Sequence, residues 1–169
     1  MNDIKIIYDA IQASKGGTGY VVPDGAVDLG LPILFAEKMY GASEIGGLGT
    51  MGTTAGNSRR IYVNNETINI SPWRIPTVSE LKQLQSAIEE KGIEVRDNKG
   101  IISLNGNELI IPVNVNFYAI DLSQGGQYCT IWRIDPNQRL LTIGEDEFYD
   151  NYLLFVCDPV DWNTRWDNL

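Results

Sequence analysis

Glu145, Asp146 and Glu147 run together, and Asp150 follows three residues on. Several carboxylate oxygens in one loop are what a hard cation such as calcium takes, and two carboxylates at a set separation are what glycoside hydrolysis uses. Adjacent carboxylates also repel, so the same run reads equally as a solvated acidic loop. Gly47-Leu48-Gly49-Thr50-Met51-Gly52 has G-x-G-x-x-G spacing. That pattern cradles a pyrophosphate only between a strand and a helix. Thr53-Thr54-Ala55 carries no helical pattern, so a long surface loop over 41–56 is expected instead. The chain has no histidine. Ser–His and Cys–His nucleophile activation and His-ligated metals are thereby excluded. Cys129 and Cys157 are the two thiols. Both lie in apolar, strand-like surroundings and are expected as buried reduced thiols, with a disulfide between neighbouring strands as the alternative. No metal and no cofactor is expected, and the chain is read as a binding protein rather than an enzyme.

The totals bound the partners. A chain of 169 residues, 43% hydrophobic and 21% charged, suits one globular domain with a sizeable core. Its net charge is −9 and its pI about 4.4. Such a chain repels phosphate backbones and anionic membranes, so neither nucleic acid nor membrane insertion is expected. No apolar run approaches the length of a spanning helix. Met1 to Tyr8 has acidic and polar interruptions and lacks the form of a secretory signal.

These residues need elements to hold them. Thr77 and Glu80 stand three apart, just before Leu81, Leu84, Ala87 and Ile88. This is a capping box followed by an apolar stripe, and it predicts a helix over about 77–91, with Gly92 closing it. Ile4, Ile7, Tyr8 and Ile11 have helical spacing, and a glycine-rich hinge, Ser14 to Gly19, follows them. Residues 1–19 are read as an anchoring or oligomerisation segment, and 20–169 as the domain; the alternative is a terminal element packed on its own domain. Residues 26–36 are expected to hold a first strand and its continuation. Asn64-Asn65 and Asn105-Gly106 predict tight hairpins. Val113 to Ala119, Tyr128 to Ile134, Arg139 to Ile143 and Tyr152 to Cys157 read as strands, and Asp161 to Leu169 as a docked tail. One helix among antiparallel hairpins is an α+β chain.

Trp73-Arg74-Ile75-Pro76-Thr77, with Glu80-Leu81, resembles the W-R-[LI]-P-T-x-x-E signature of formylglycine-generating-enzyme-like and Bacteroidetes major paralogous surface domains. Val27 to Pro32 resembles their VDLGLP opening, and Tyr40-Gly41-Ala42-Ser43 sits where they carry NVGAS. Tyr128-Cys129-Thr130 and Tyr152 to Val156 resemble their later strands. The resemblance spans about 26–160. It implies a C-type-lectin-like fold, with its ends close together and its binding loops at the far side. The cysteine motif of formylglycine-generating enzymes is missing, so their activity is not carried over. The EPN and WND calcium motifs of animal lectins are missing as well.

Ser14-Lys15-Gly16-Gly17-Thr18-Gly19 is similar to a junction in bacteriophage tail-fibre proteins. Together these resemblances imply a non-enzymatic virion protein of the tail-fibre or capsid-decoration type. It would attach to other virion proteins or to itself, as a trimer for example, and meet a host-surface glycan or protein. A bacterial ligand-binding module in the cytoplasm or at the cell surface is the alternative, and a carboxylate-based enzyme a further one. The resemblance puts the ligand face on Tyr118, Gln124, Gln127, Trp132, Arg133, Asp135, Asn137 and Arg139. Strand alternation sends Trp132 and Arg133 to opposite faces, which leaves Trp132 free to be core.

Overall fold

In the computed structural model, which describes residues 20–55, 57–89, 91–121, 129–147 and 150–161, helix α1 runs from Val78 to Ile88. The capping box forms as the spacing predicts. The Glu80 backbone N–H donates to Thr77 Oγ1 at 3.3 Å, and the Thr77 N–H donates to Glu80 Oε1 at 3.0 Å. Leu81, Leu84 and Ile88 are buried, whereas Ala87 faces solvent. The helix stops earlier than expected. The Glu89 N–H bonds back to the Ser86 carbonyl, tightening the last turn, and Gly92 then takes φ +68 with its N–H on the Ile88 carbonyl at 2.8 Å.

Short antiparallel sheets make up the rest of the described elements. The first orders β2 (Ala26–Val27), β3 (Leu34–Ala36), β14 (Val156–Cys157) and β7 (Trp73–Arg74). The second joins β11 (Phe117–Ala119), β12 (Cys129–Asp135) and β13 (Leu140–Asp146). The third joins β10 (Asn107–Pro112), β9 (Lys99–Leu104) and β8 (Glu94–Arg96). The fourth joins β4 (Thr53–Thr54), β5 (Arg60–Val63) and β6 (Glu66–Asn69). A two-stranded pair of β1 (Tyr20–Val21) with β15 (Val160–Asp161) brings the two ends of the described chain side by side. The class is α+β. Leu81, Leu84 and Ile88 share one core with Ile102, Leu109, Trp132, Ile134 and Leu141, and Gln85 Nε2 ties the helix to the Leu141 carbonyl at 2.8 Å.

Turn chemistry explains the register. Asn64-Asn65 and Asn105-Gly106 take positive φ at both positions, as a tight hairpin requires. Asp97-Asn98 does the same between β8 and β9, at a place where no hairpin was expected. Residues 26–36 are not one strand. The Asp28 carboxylate accepts the Gly30 N–H at 2.9 Å, and this turn folds β2 back on β3. Val113 to Ala119 is strand only from Phe117, because Asn114 sits at φ 57 and breaks the extended run. Tyr152 to Cys157 is strand only at its end, Val156–Cys157; before it the Leu153 and Phe155 carbonyls accept the Tyr40 and Ala36 N–H groups. Residues 1–19, 122–128 and 162–169 lie outside the described residues, and with them the anchoring residues Ile4, Ile7, Tyr8 and Ile11, the hinge and the two terminal tryptophans.

The W-R-I-P-T stretch is where helix and sheets are locked together. Trp73 and Arg74 form β7 and pair with β14. Ile75 is fully buried. Around Pro76 the chain runs beside Ile120, with the Ile120 N–H on the Pro76 carbonyl at 3.0 Å and the Val78 N–H on the Ile120 carbonyl at 2.9 Å. The Arg74 guanidinium forks onto Glu80, Nη1 to Oε1 at 2.7 Å and Nη2 to Oε2 at 2.5 Å. The same Nη2 reaches Asp158 Oδ1 at 2.9 Å. One arginine therefore joins β7, the first turn of α1 and the chain just after β14.

The protonation of this cluster follows from its contacts. Burial pushes the Glu80 carboxyl up, but the hydrogen bonds from Arg74 and the Thr77 backbone outweigh it and hold it below the usual range. The hydrogen bond from Arg74 lowers Asp158 against partial burial. The hydrogen bond to Glu80 raises Arg74. Both carboxylates thus bind protons more weakly folded than unfolded. Their contribution is complete above the unfolded values near about 4 and is lost as pH falls through the depressed folded values. Urea denaturation from about pH 6 down to about pH 2 is expected to show falling stability, with a shallower fall in Arg74→Met. Leu84→Ala is expected to cost about 2–5 kcal/mol at neutral pH by the same measurement.

Candidate functional site

The second sheet has one face in the core and one face outward. Trp132, Ile134 and Leu141 point inward; Arg133 and Asp135 of β12 and Thr142, Gly144 and Asp146 of β13 alternate to the other side. Beside this outer face lies an open cleft of about 660 Å³. Arg133 and Asp146 line it from the sheet. Asn114, Val115 and Asn116 line it from the irregular segment before β11, and Asp150, Asn151 and Tyr152 from the segment before β14. Met51 closes one side from the glycine-rich loop.

Each wall has a local cause. Asn116 Nδ2 donates to Asp146 Oδ2 at 3.0 Å, fixing the amide against the end of β13. Asn116 Oδ1 is buried and has no hydrogen-bond partner among the described residues. Asn151 is 1% exposed, and its backbone exchanges hydrogen bonds with Gly52 at 2.9 and 3.0 Å. The Tyr152 carbonyl accepts the Tyr118 N–H at 2.9 Å, and the Tyr152 N–H donates to the Asn116 backbone carbonyl at 3.0 Å. Three chain segments far apart in sequence are thus sewn together by backbone bonds beneath one open surface.

The glycine-rich loop contributes Met51 to this wall. No helix follows it; Thr53–Thr54 pairs antiparallel with β5. A Cβ on Gly49 would sit 1.9 Å from the Tyr40 carbonyl oxygen. The loop doubles back there, with the Thr50 N–H on that same carbonyl at 2.9 Å and the Gly49 N–H against Met39 Sδ at 3.0 Å. Glycine is required by the close approach of two backbones.

Among the residues that the resemblance put on the ligand face, Arg133 lies in the cleft. Tyr118 is on the same sheet face, its hydroxyl 3.4 Å from Thr54 Oγ1, but does not line it. Trp132 is a correction: it is fully buried, stacked on Phe117 with ring centroids 4.9 Å apart, and offers nothing to a ligand. Asp135, Asn137 and Arg139 form the β12–β13 turn and do not line the cleft. There the Asp135 carboxylate accepts the Gln138 and Asn137 N–H groups, which hold its pKa low, and Arg139 takes φ 55. Gln124 and Gln127 lie outside the described residues. The acidic run divides: Asp146 and Asp150 line the cleft, while Glu145 and Glu147 are not among its walls. No cluster of three His, Cys, Asp or Glu side chains fit to hold a metal ion occurs among the described residues.

Cys157 is free and buried, 2% exposed. Burial first, then the Asp158 charge, pushes its thiol above the ordinary range, with Arg74 pulling the other way. No protein-family model, curated protein or solved structure matches the chain.

Two measurements check this anatomy. Gly49→Ala is expected to lower stability by about 1–3 kcal/mol in urea denaturation. Gly144→Ala, where a Cβ meets nothing within 4 Å, is expected to stay within about 0.5 kcal/mol. Cys157 is expected to resist iodoacetamide in native buffer and to react on unfolding, as read by mass spectrometry of the Cys157 peptide.

Proposed function

We propose that this protein is a non-enzymatic bacteriophage virion protein of the tail-fibre or capsid-decoration type, whose C-type-lectin-like head binds a host-surface glycan. The observation that carries the binding role is the cleft. Its lining combines one guanidinium, two carboxylates, a tyrosine and three amides, of which Asn151 is buried. Such a set suits sugar hydroxyls, which donate to carboxylates and amide oxygens and accept from amide and guanidinium N–H groups.

Other features support the lectin-like reading. The VDLGLP stretch forms the turn between β2 and β3, and the W-R-I-P-T stretch forms β7 and the helix cap. The β1–β15 pair sets the ends of the described chain together, as that fold implies. The virion reading rests on the Ser14 to Gly19 junction and on its likeness to tail-fibre proteins.

Binding of the purified protein to an array of neutral, amino and acidic bacterial saccharides tests the role. Retention by at least one saccharide is expected, and Arg133→Ala and Asn116→Ala are each expected to weaken it about tenfold. Failure to retain any saccharide, or retention unchanged in both variants, would refute the cleft reading. Mass spectrometry of purified particles should find the chain in stoichiometric amounts; its absence from particles would refute the virion assignment.

A further inference from the structure

Arg59 and Arg60 stand side by side in a chain whose net charge is −9. They occupy the turn into β5, on a different sheet from the cleft. The backbone lays a second polar segment against them: the Ile70 N–H donates to the Arg59 carbonyl and the Ile75 N–H to the Ser58 carbonyl, both at 2.9 Å. Between the two segments is an open groove of about 320 Å³, lined by Asn57, Ser58, Arg59, Arg60, Asn69 and Ser71. None of the six is acidic, although acidic residues outnumber basic ones 22 to 13 in the chain.

The groove is also biased toward donors by its own hydrogen bonds. Asn57 Oδ1 accepts the Arg59 N–H at 2.8 Å, and Asn69 Oδ1 accepts the Ser71 N–H at 3.0 Å. With both amide oxygens engaged by the backbone, the amide NH₂ groups are left to donate. Arg60 and Asn69 are directly opposed across the β5–β6 ladder, so their side chains leave from one face. Arg59 meets Asp158 at 3.6 Å, with both side chains about half exposed (46% and 59%). An ion pair this open is weak and exchangeable. Tyr62 lies two residues along β5 on the same face as Arg60, 43% exposed, with its hydroxyl donating to Asn65 Oδ1 at 3.3 Å.

We propose that this groove is a second binding site, for an oxyanion carried on a saccharide. The guanidiniums, amides and hydroxyls take the anion, as charge-assisted hydrogen bonding favours. The exposed ring of Tyr62 is placed to receive the apolar face of the sugar that bears it. Sulfate, phosphate and carboxylate share this chemistry. The site is separate from the cleft and does not depend on the cleft reading.

Calorimetric titration with glucose 6-sulfate, glucose 6-phosphate and glucuronate, each against the matching inorganic or acetate ion, tests it. At least one anionic sugar is expected to bind, and which one identifies the source of the oxyanion. Arg60→Gln is expected to weaken that sugar about tenfold, with an unchanged melting temperature because Arg60 is exposed. Tyr62→Ala should weaken the sugar more than the bare ion, and Asp146→Asn in the cleft should leave the binding as it was. The proposal is overturned if no anionic sugar binds, if Arg60→Gln binds as tightly as the parent, or if the binding is lost in Asp146→Asn instead. Equal weakening of sugar and bare ion by Tyr62→Ala would overturn the saccharide part.

Discussion

A single guanidinium decides how this fold closes. Arg74 spends its fork on Glu80 and reaches Asp158 with the same nitrogen. Glu80 is already committed to the helix cap through Thr77. The arginine therefore ties the start of α1, strand β7 and the chain after β14 at one point. With Arg74 and Glu80 only 12% and 16% exposed, the pair is largely withdrawn from water. In that setting, loss of one partner strands the other, which is why such pairs are costly to break even when their net contribution is modest.

The latch and the cleft are connected through the chain. Asn151 and Tyr152 wall the cleft, and the same segment continues through Leu153 to Phe155, all buried, into β14 and Asp158. Holding Asp158 holds the far end of that segment. Gly52 and Tyr118 hold the near end by backbone bonds. The cleft thus stands on a strap fixed at both ends, while Met51, Asn114 and Asp150 on its rim are exposed to solvent. A rigid floor with a polar rim limits the ordering cost of taking up a ligand.

Much of the frame was legible because its causes are local. Thr77 with Glu80 announced the helix start, and Asn105-Gly106 and Asn64-Asn65 announced their hairpins, since cap and turn chemistry act over a few residues. Asp97-Asn98 carries the same kind of signal. The strand expected at Val113 failed on one residue, Asn114, whose left-handed backbone no alternation pattern reveals. The candidate site was legible at Arg133 and, through the acidic run, at Asp146 and Asp150. Its other walls come from segments that meet through tertiary hydrogen bonds, such as Gly52 with Asn151 and Asn116 with Asp146, and spacing along the chain does not encode those. Trp132 has the composition of a ligand contact, but alternation sends it inward, where Phe117 stacks on it. The glycines of 41–56 suggested a loop; that Gly49 is there to admit the Tyr40 carbonyl needed the structure.

The account stands on Arg74 and Glu80 acting as one unit. A double-mutant cycle on Arg74→Met and Glu80→Gln, read by urea denaturation at neutral pH, measures that directly. A coupling of about 2 kcal/mol is predicted, with the double variant more stable than the sum of the single losses. Additive losses, with coupling below about 0.5 kcal/mol, would contradict it.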